Sequence, residues 1–108
     1  MLTSTQYATA LDTMFAQAAT TFTPKTDPFR THRNSLALVH WLAERHQAEV
    51  MAEIARREAM GITITWGVIV ECIFAVLGIL FPGLGLLLSI VEAIIRTLLP
   101  KMPAPVPA

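Results

Sequence analysis

The sequence predicts an all-α protein of the small integral membrane class, with N-terminal amphipathic helices followed by a transmembrane helical hairpin. Two observations predict this class. Of the 108 residues, 54% are hydrophobic and 15% are charged, which is richer in apolar residues and poorer in charge than an ordinary soluble domain. The apolar excess is concentrated in residues 61–99, which are interrupted once, by the sequence Pro-Gly-Leu-Gly.

Residues 61–81 are the first predicted transmembrane helix. They carry a single charge, that of Glu71, and at about 1.5 Å per residue a helix of this length crosses a hydrocarbon core of about 30 Å. Residues 82–85 are the predicted turn. Residues 86–99 are the second predicted helix, which is shorter and either spans the membrane or lies in its interface.

Small and polar side chains recur at spacings of three and four residues along both apolar segments. This spacing places them on one stripe of each helix, where small residues permit close packing. If the segments fold back antiparallel at the turn, Arg96 comes level with Glu71, and Glu92 braces Arg96 along its own helix. We therefore predict a polar seam that is hidden from lipid and docks on partner helices. Its members are Thr63, Gly67, Glu71, Gly78, Ser89, Glu92 and Arg96.

The basic residues predict the topology of the hairpin. Arg56 and Arg57 precede the first apolar segment and Lys101 follows the second, whereas the turn between them has no basic residue. The positive-inside rule then places both chain ends on the cytoplasmic or matrix side of a bacterial or organelle inner membrane. Arg96 is open to a second interpretation, in which it extends to the headgroups while Glu71 is protonated or faces another protein.

Residues 1–23 predict an amphipathic helix. Thr3-Ser4-Thr5-Gln6 fits the capping box, which begins a helix. Apolar side chains then follow at helical spacing and form one stripe. They are Tyr7, Leu11, Met14, Phe15, Ala18 and Phe22. Because such a short, threonine-rich helix is marginal alone, we expect it to lie on a partner, on the membrane interface or on the next helix.

Residues 24–35 are a proline-containing linker in which the second helix begins. Pro24 and Pro28 forbid a continuous helix, and Asp27-Pro28 has the pattern of an N-cap followed by proline at the first helical position. Residues 36–60 contain neither Gly nor Pro and predict one amphipathic juxtamembrane helix. Its apolar face consists of Leu36, Val39, Leu42, His46, Val50 and Ile54.

Residues 100–108 predict a proline-rich tail. Proline at alternate positions removes amide donors and favours an extended polyproline conformation. That composition is typical of a disordered tail or of a segment laid along the groove of a partner.

No pattern in the sequence predicts catalysis. It has no nucleophile elbow, no glycine-rich phosphate loop and no paired carboxylates of a soluble cleft. Among the histidines, His32, His40 and His46, no pair lies at i,i+3 or i,i+4 with a carboxylate in the arrangement that a helix-borne metal site requires, and no cysteine is near them. We therefore predict neither a metal nor another cofactor. A formal net charge of zero gives no electrostatic sign of nucleic-acid binding.

These patterns favour a non-catalytic accessory or assembly subunit of a larger membrane complex, with membrane lipids and other membrane subunits as partners. The alternative is a self-oligomerising pore lined by Glu71, Glu92 and Arg96. The two-span plan of residues 61–99, with both ends on one side, is similar to that of some small phage holins, which implies a membrane-permeabilising function. A third interpretation is a soluble helical protein whose apolar hairpin is the core of an oligomer.

Overall fold

The computed structural model describes residues 2–102, which form five α-helices and two short 3₁₀ turns. The helices are α1 (Ser4–Thr20), α2 (Thr31–Arg45), α3 (Gln47–Ala59), α4 (Trp66–Leu80) and α5 (Gly85–Arg96). The turns are Pro82–Leu84 before α5 and Leu99–Lys101 after it. The all-α prediction is confirmed for these residues, which contain no β-strand. Of the tail predicted over residues 100–108, residues 103–108 lie outside the described residues.

The capping box predicted at the start of α1 is confirmed. The Thr3 hydroxyl accepts a hydrogen bond from the backbone N–H of Gln6 at 3.1 Å, and the Gln6 side-chain oxygen accepts one from the N–H of Thr3 at 2.8 Å. Two N–H groups that the helix leaves unpaired thus gain partners. The predicted apolar stripe is buried from Tyr7 to Ala18 and packs on α2. The next helix is therefore the surface on which α1 lies.

α2 begins at Thr31, four residues after Asp27, and its N-cap is Arg30. The Asp27 carboxylate accepts a hydrogen bond from the backbone N–H of Arg33 at 3.0 Å and lies 3.3 Å from Nδ1 of His32. The backbone of Arg30, directly before the helix, has the left-handed conformation, and the Arg30 side chain makes no capping hydrogen bond. The predicted N-cap at Asp27 with Pro28 at the first helical position is wrong, because the N-cap is Arg30 and Pro28 precedes the helix. Asp27 still gives a partner to one free N–H of the first turn, that of Arg33.

The single helix predicted over residues 36–60 is two helices that meet at His46. The backbone of His46 leaves the helical conformation, with φ −106° and ψ 31°. No glycine or proline breaks the helix there. The imidazole instead makes an edge-to-face contact with the ring of Phe81 at the end of α4, with 5.3 Å between ring centroids. We attribute the bend to this tertiary packing, which periodicity along one segment does not reveal.

The first predicted membrane helix is shorter than its sequence indicates. Gly61 ends α3 with a left-handed φ of 86°, and the N–H of Ile62 donates to the carbonyl of Arg57 at 3.1 Å, which is the long hydrogen bond of a Schellman motif. The Thr65 hydroxyl caps α4 by accepting from the N–H of Val68 at 3.3 Å. Residues 61–65 are thus a connection. α4 has 15 residues and a length of about 22 Å, less than the hydrocarbon thickness.

α4 is the central helix of the bundle. Ile69, Ile73 and Leu77 on its apolar face have no exposed surface. α2, α3 and α5 pack against α4, and all four other helices contribute side chains to the same core that are fully or almost fully buried. They include Met14 and Ala18 from α1, Val39 and Ala43 from α2, Val50 and Ile54 from α3, and Val91 and Ile95 from α5. Ile69 and Ile73, which lie opposite the predicted polar stripe and would face lipid in a membrane hairpin, therefore lie in the interior of the protein.

Candidate functional site

The predicted polar seam does not lie between α4 and α5. Its exposed members are Thr63, Glu71, Ser89 and Arg96, and its half-buried members are Gly67, Gly78 and Glu92. Thr63 also precedes α4 rather than belonging to it. The physical reason is that the apolar faces of α4 and α5 pack on α1, α2 and α3, and burying those faces turns the polar stripes outward.

Glu71 pairs with Arg57 rather than with Arg96. Nη1 of Arg57 lies 3.0 Å from Oε1 of Glu71, across the α3–α4 connection. Arg96 instead pairs along its own helix, with Nη2 at 2.9 Å from Oε2 of Glu92, which is the bracing contact that its spacing predicts. The expected Glu71–Arg96 pair is wrong. That expectation aligns the two segments of the hairpin alone, which leaves out α3. The last turn of α3 brings Arg57 beside Glu71 on α4.

A charged cluster surrounds Arg57 at the end of α3. Oε1 of Glu53 lies 2.6 Å from Nη2 of Arg56 and 3.2 Å from Nε of Arg57. Hydrogen bonds from Arg56 and then from Arg57 lower the pKa of Glu53 to about 2, because they stabilise its charged form. Since α5 runs back along α4, the exposed Lys101 lies at this end of the hairpin as well. The role of Arg56, Arg57 and Lys101 in setting membrane topology stays a prediction.

The opposite end of the hairpin is apolar and exposed. Ile79 and Leu86 flank the turn with 80% and 79% of their surfaces exposed, and Leu80 and Ile90 are exposed as well. No charged residue occurs in residues 72–91. We call the surface formed by Ile79, Leu80, Leu86 and Ile90 the apolar tip. Uncharged, exposed apolar surface of this kind is typical of a contact with a membrane or with another protein.

Among residues 2–102, one helical run is long and apolar enough to cross a membrane. It extends over the 20 residues Pro82–Lys101, which include α5, and most of it is not buried in the bundle. This criterion uses length and composition alone. It reverses the order expected from the sequence, in which residues 61–81 were the clearer span and residues 86–99 the more ambiguous one.

A groove of about 210 Å³ adjoins the apolar tip. Its lining comes from the start of α2 and the start of α5. The residues are Thr31, His32 and Ser35 from α2, and Leu86, Leu87 and Ile90 from α5. The apolar surface of α5 thus continues to the edge of α2.

A second groove, of about 440 Å³, runs along the contact between α1 and α2. Alanines on both helices, among them Ala16 and Ala37, line it, and Arg33 lies at its edge. The rings of Phe15 and His40 also line it and stack in parallel, with 4.9 Å between centroids and 7° between planes. The stack keeps the imidazole of His40 in a fixed plane across the two helices.

His40 lies between two carboxylates from different helices. Its Nε2 is 2.9 Å from Oδ1 of Asp12 on α1 and 3.0 Å from Oε1 of Glu44 on α2. One ligand atom from each of the three side chains lies within 4.8 Å of the others. Close by, the Tyr7 hydroxyl donates to the carbonyl of Ala43 at 3.1 Å. Burial, followed by the charge of Glu44, raises the pKa of Tyr7.

The prediction of no metal site rests on pairs of histidines and overlooks this cluster. His40 and Glu44 are four residues apart, a spacing that places both on one face of a helix. That part of the signal is present in the sequence. Asp12 lies 28 residues before His40, so its approach depends on the packing of α1 against α2.

No protein-family model, curated protein or solved structure gives a significant match to the chain. The functional proposals below therefore depend on the residues and the geometry alone.

Proposed function

We propose that the protein is a non-catalytic accessory subunit of a membrane protein complex and that it contacts the bilayer through α5 and the apolar tip. The observation that carries this proposal is the exposure of large apolar side chains, above all Ile79 and Leu86, within an uncharged stretch of sequence. Moving such a side chain out of water stabilises it by about 2 kcal/mol. Several side chains at one end of a helical hairpin add up to a useful membrane affinity.

The distribution of charge supports an orientation for this contact. Arg56, Arg57 and Lys101 belong to the end of the hairpin opposite the apolar tip. A bilayer at the tip therefore leaves these cations in water, on the side where the positive-inside rule places them. We propose that the bulk of the chain lies on the cytoplasmic or matrix side of an inner membrane.

The proposal places α5 in the membrane interface and leaves α4 in the bundle. α5 keeps Val91 and Ile95 in the core and presents Leu86 and Ile90 outward, so it has an apolar face on each side. An interfacial helix uses such an outer face to enter the headgroup boundary. If α4 crossed the membrane instead, its fully buried face, centred on Ile73, would have to separate from the helices that cover it in the bundle.

The outward stripe of the hairpin supports the accessory role. Gly67, Gly78 and Ser89 lie on it at helical spacing, and small residues in this arrangement allow a partner helix to approach closely. Glu71 and Arg96, also on this stripe, are ion-paired with Arg57 and Glu92, and a partner would meet these pairs at its surface. We propose that another membrane subunit covers this stripe in the assembled complex.

Flotation of the purified full chain with liposomes of phosphatidylcholine and phosphatidylglycerol tests the membrane contact. We expect the wild-type chain to float and the Leu86→Glu/Ile90→Glu variant to stay at the bottom, because a charge in hydrocarbon costs on the order of 3 kcal/mol. Trp41→Glu is the control, since Trp41 is 54% exposed but lines neither groove. Flotation of the double variant at wild-type efficiency would contradict the proposal.

Native electrophoresis of membranes solubilised in mild detergent tests membership of a complex. We expect the chain, whose own mass is 11.8 kDa, to migrate in a much larger band that also contains other polypeptides. A stable monomer with a protease-resistant N-terminal region would contradict the accessory role, even if flotation succeeds.

A self-oligomerising pore is the second candidate function, and the absence of charge from residues 72–91 favours it. In this candidate the hairpin separates from α1–α3 and inserts, and Glu71, Glu92 and Arg96 line the opening. Release of a dye trapped in liposomes, altered by Glu71→Gln, would support the pore. Binding without release supports the accessory subunit.

A further inference from the structure

We propose that Asp12, His40 and Glu44 bind a divalent first-row transition metal of the zinc class where α1 meets α2. The site is separate from the apolar tip and does not depend on membrane contact. It joins one imidazole nitrogen to two carboxylate oxygens, a ligand set that suits zinc and its neighbours better than magnesium or calcium, which prefer oxygen alone.

Both distances from His40 to the carboxylates fit a metal centre, and the two carboxylate oxygens lie within 4.8 Å of each other. With bonds of about 2.1 Å, ligands in neighbouring positions lie about 3.4 Å apart in a tetrahedral site and about 3.0 Å apart in an octahedral one. Nε2 of His40 lies 2.9 Å from the oxygen of Asp12 and 3.0 Å from that of Glu44. The two carboxylates are 65% and 56% exposed, so small side-chain rotations adjust them around an ion.

The two carboxylates of the cluster, those of Asp12 and Glu44, would be stabilised by a bound cation. A neutral imidazole has at most one N–H at Nε2. This one donor can form a good hydrogen bond with the carboxylate oxygen of Asp12 or with that of Glu44, but not with both. Within residues 2–102, neither Asp12 nor Glu44 forms an ion pair with a lysine or arginine. Three other glutamates each have an arginine partner; they are Glu53, Glu71 and Glu92. A divalent ion would balance both carboxylates, which have His40 rather than a lysine or arginine as their partner, and would use the imidazole nitrogen.

The protein holds the three ligands in place before any ion arrives. The ring of Phe15 fixes the plane of the His40 imidazole by parallel stacking. α2 keeps His40 and Glu44 one turn apart on the same face, and the packing of α1 on α2 brings Asp12 to them. Ligands arranged in this way bind with little further loss of conformational freedom. The exposed side of the cluster leaves room for water as additional ligands.

A metal at this position would link α1 to α2. α1 is the helix that its sequence marks as marginal alone, and a link between the middle of α1 and the second half of α2 would hold it on the bundle. Because the folded chain brings Asp12 to His40 and Glu44, binding favours the folded state.

Titration of the purified full chain with Zn²⁺, followed by calorimetry and thermal unfolding, tests the site. At a free concentration about 100 times the dissociation constant, we expect Tm to rise on the order of 10 °C. Asp12→Asn should weaken Zn²⁺ binding at least about tenfold and His40→Gln roughly 100-fold, in line with the loss of a ligand. With Co²⁺ as the probe, the visible absorption of the bound ion should disappear in His40→Gln.

His46→Gln is the matched control, since Nδ1 of His46 lies 3.6 Å from a single carboxylate, that of Glu49. We expect it to bind Zn²⁺ as the wild type does. If His40→Gln fails to fold, Asp12→Asn decides the question, because that carboxylate is largely exposed. The proposal is overturned if the wild-type chain does not bind Zn²⁺ at micromolar concentration, or if Asp12→Asn binds as tightly as the wild type.

Discussion

Nη1 of Arg57 and Oε1 of Glu71 lie 3.0 Å apart, and this ion pair joins the last turn of α3 to the second turn of α4. The pair crosses the Gly61 connection and accompanies the outward direction of the Glu71 stripe, which burial of the apolar face of α4 imposes. The apolar face of α4 then points into the bundle. The most prominent charge of the apolar region is thus part of a surface cluster in the folded chain.

A double-mutant cycle tests this pairing. Arg57→Gln and Glu71→Gln should show a coupling of about 0.5 kcal/mol in the free energy of unfolding, small because the pair is partly exposed to water. Urea unfolding of the two single variants and the double variant measures the coupling. The same cycle with Arg96→Gln in place of Arg57→Gln should give none, and a coupling confined to Arg96 would restore the pairing expected from the hairpin alone.

Gly61→Ala should lower the free energy of unfolding by about 1 kcal/mol, because a side chain is disfavoured at the left-handed position of the Schellman motif. Gly78→Ala is the control. Gly78 lies within α4, and an added methyl group meets nothing within 4 Å, so alanine should raise stability by about 0.5–1 kcal/mol. Effects of the same sign at both positions would show that Gly61 does not end α3 in this way.

Truncation of Ile73 distinguishes a bundle interior from a lipid-facing surface. Ile73 has no exposed surface, so Ile73→Ala should cost about 2–5 kcal/mol in chemical denaturation of the purified chain. Ile79→Ala removes the same atoms from a side chain that is 80% exposed and should change stability by less than about 0.5 kcal/mol. Comparable effects at the two positions would contradict the burial of α4.

Asp27 should give stability a dependence on acid pH. Burial raises the pKa of its carboxyl, but hydrogen bonds from the backbone N–H groups of Arg33 and His32 outweigh it, and the pKa falls below its ordinary 3.8. Such a group adds stability that is present above the unfolded-state pKa and lost as pH falls through the lower folded-state pKa.

We therefore expect Asp27→Asn to lower Tm relative to the wild type at pH 7, and this difference to shrink as the pH falls below about 4. Thermal unfolding followed by circular dichroism across that range measures it. A difference between variant and wild type that stays constant down to pH 2 would show that the charge of Asp27 contributes nothing.

Signals confined to one helix could be predicted from the sequence. Thr3 and Gln6 form the expected capping box, and Glu92 pairs with Arg96 four residues later, because both contacts depend only on helical spacing. The direction in which the stripe of Glu71 points could not be predicted in this way. Small and polar residues on one face fit a seam between membrane helices and fit a surface in water equally well.

Contacts between distant segments account for the other differences. The bend at His46 accompanies its contact with Phe81, which directly follows α4. The metal-ligand cluster needs Asp12 from α1 beside His40 from α2. Spacing along the chain carries only the His40–Glu44 half of that cluster. The remaining contacts arise from how the helices pack, which the spacing of residues along a single sequence does not reveal.

The contact of α5 with the bilayer can be measured directly with an environment-sensitive fluorophore, NBD, attached at Leu86→Cys. The native Cys72 is fully buried and should not react in the folded chain. On addition of liposomes we predict that emission from position 86 shifts to the blue and is quenched by doxyl-labelled lipids, while a label at Trp41→Cys shows neither change. Unchanged emission at position 86, or equal changes at both positions, would contradict a membrane contact through α5.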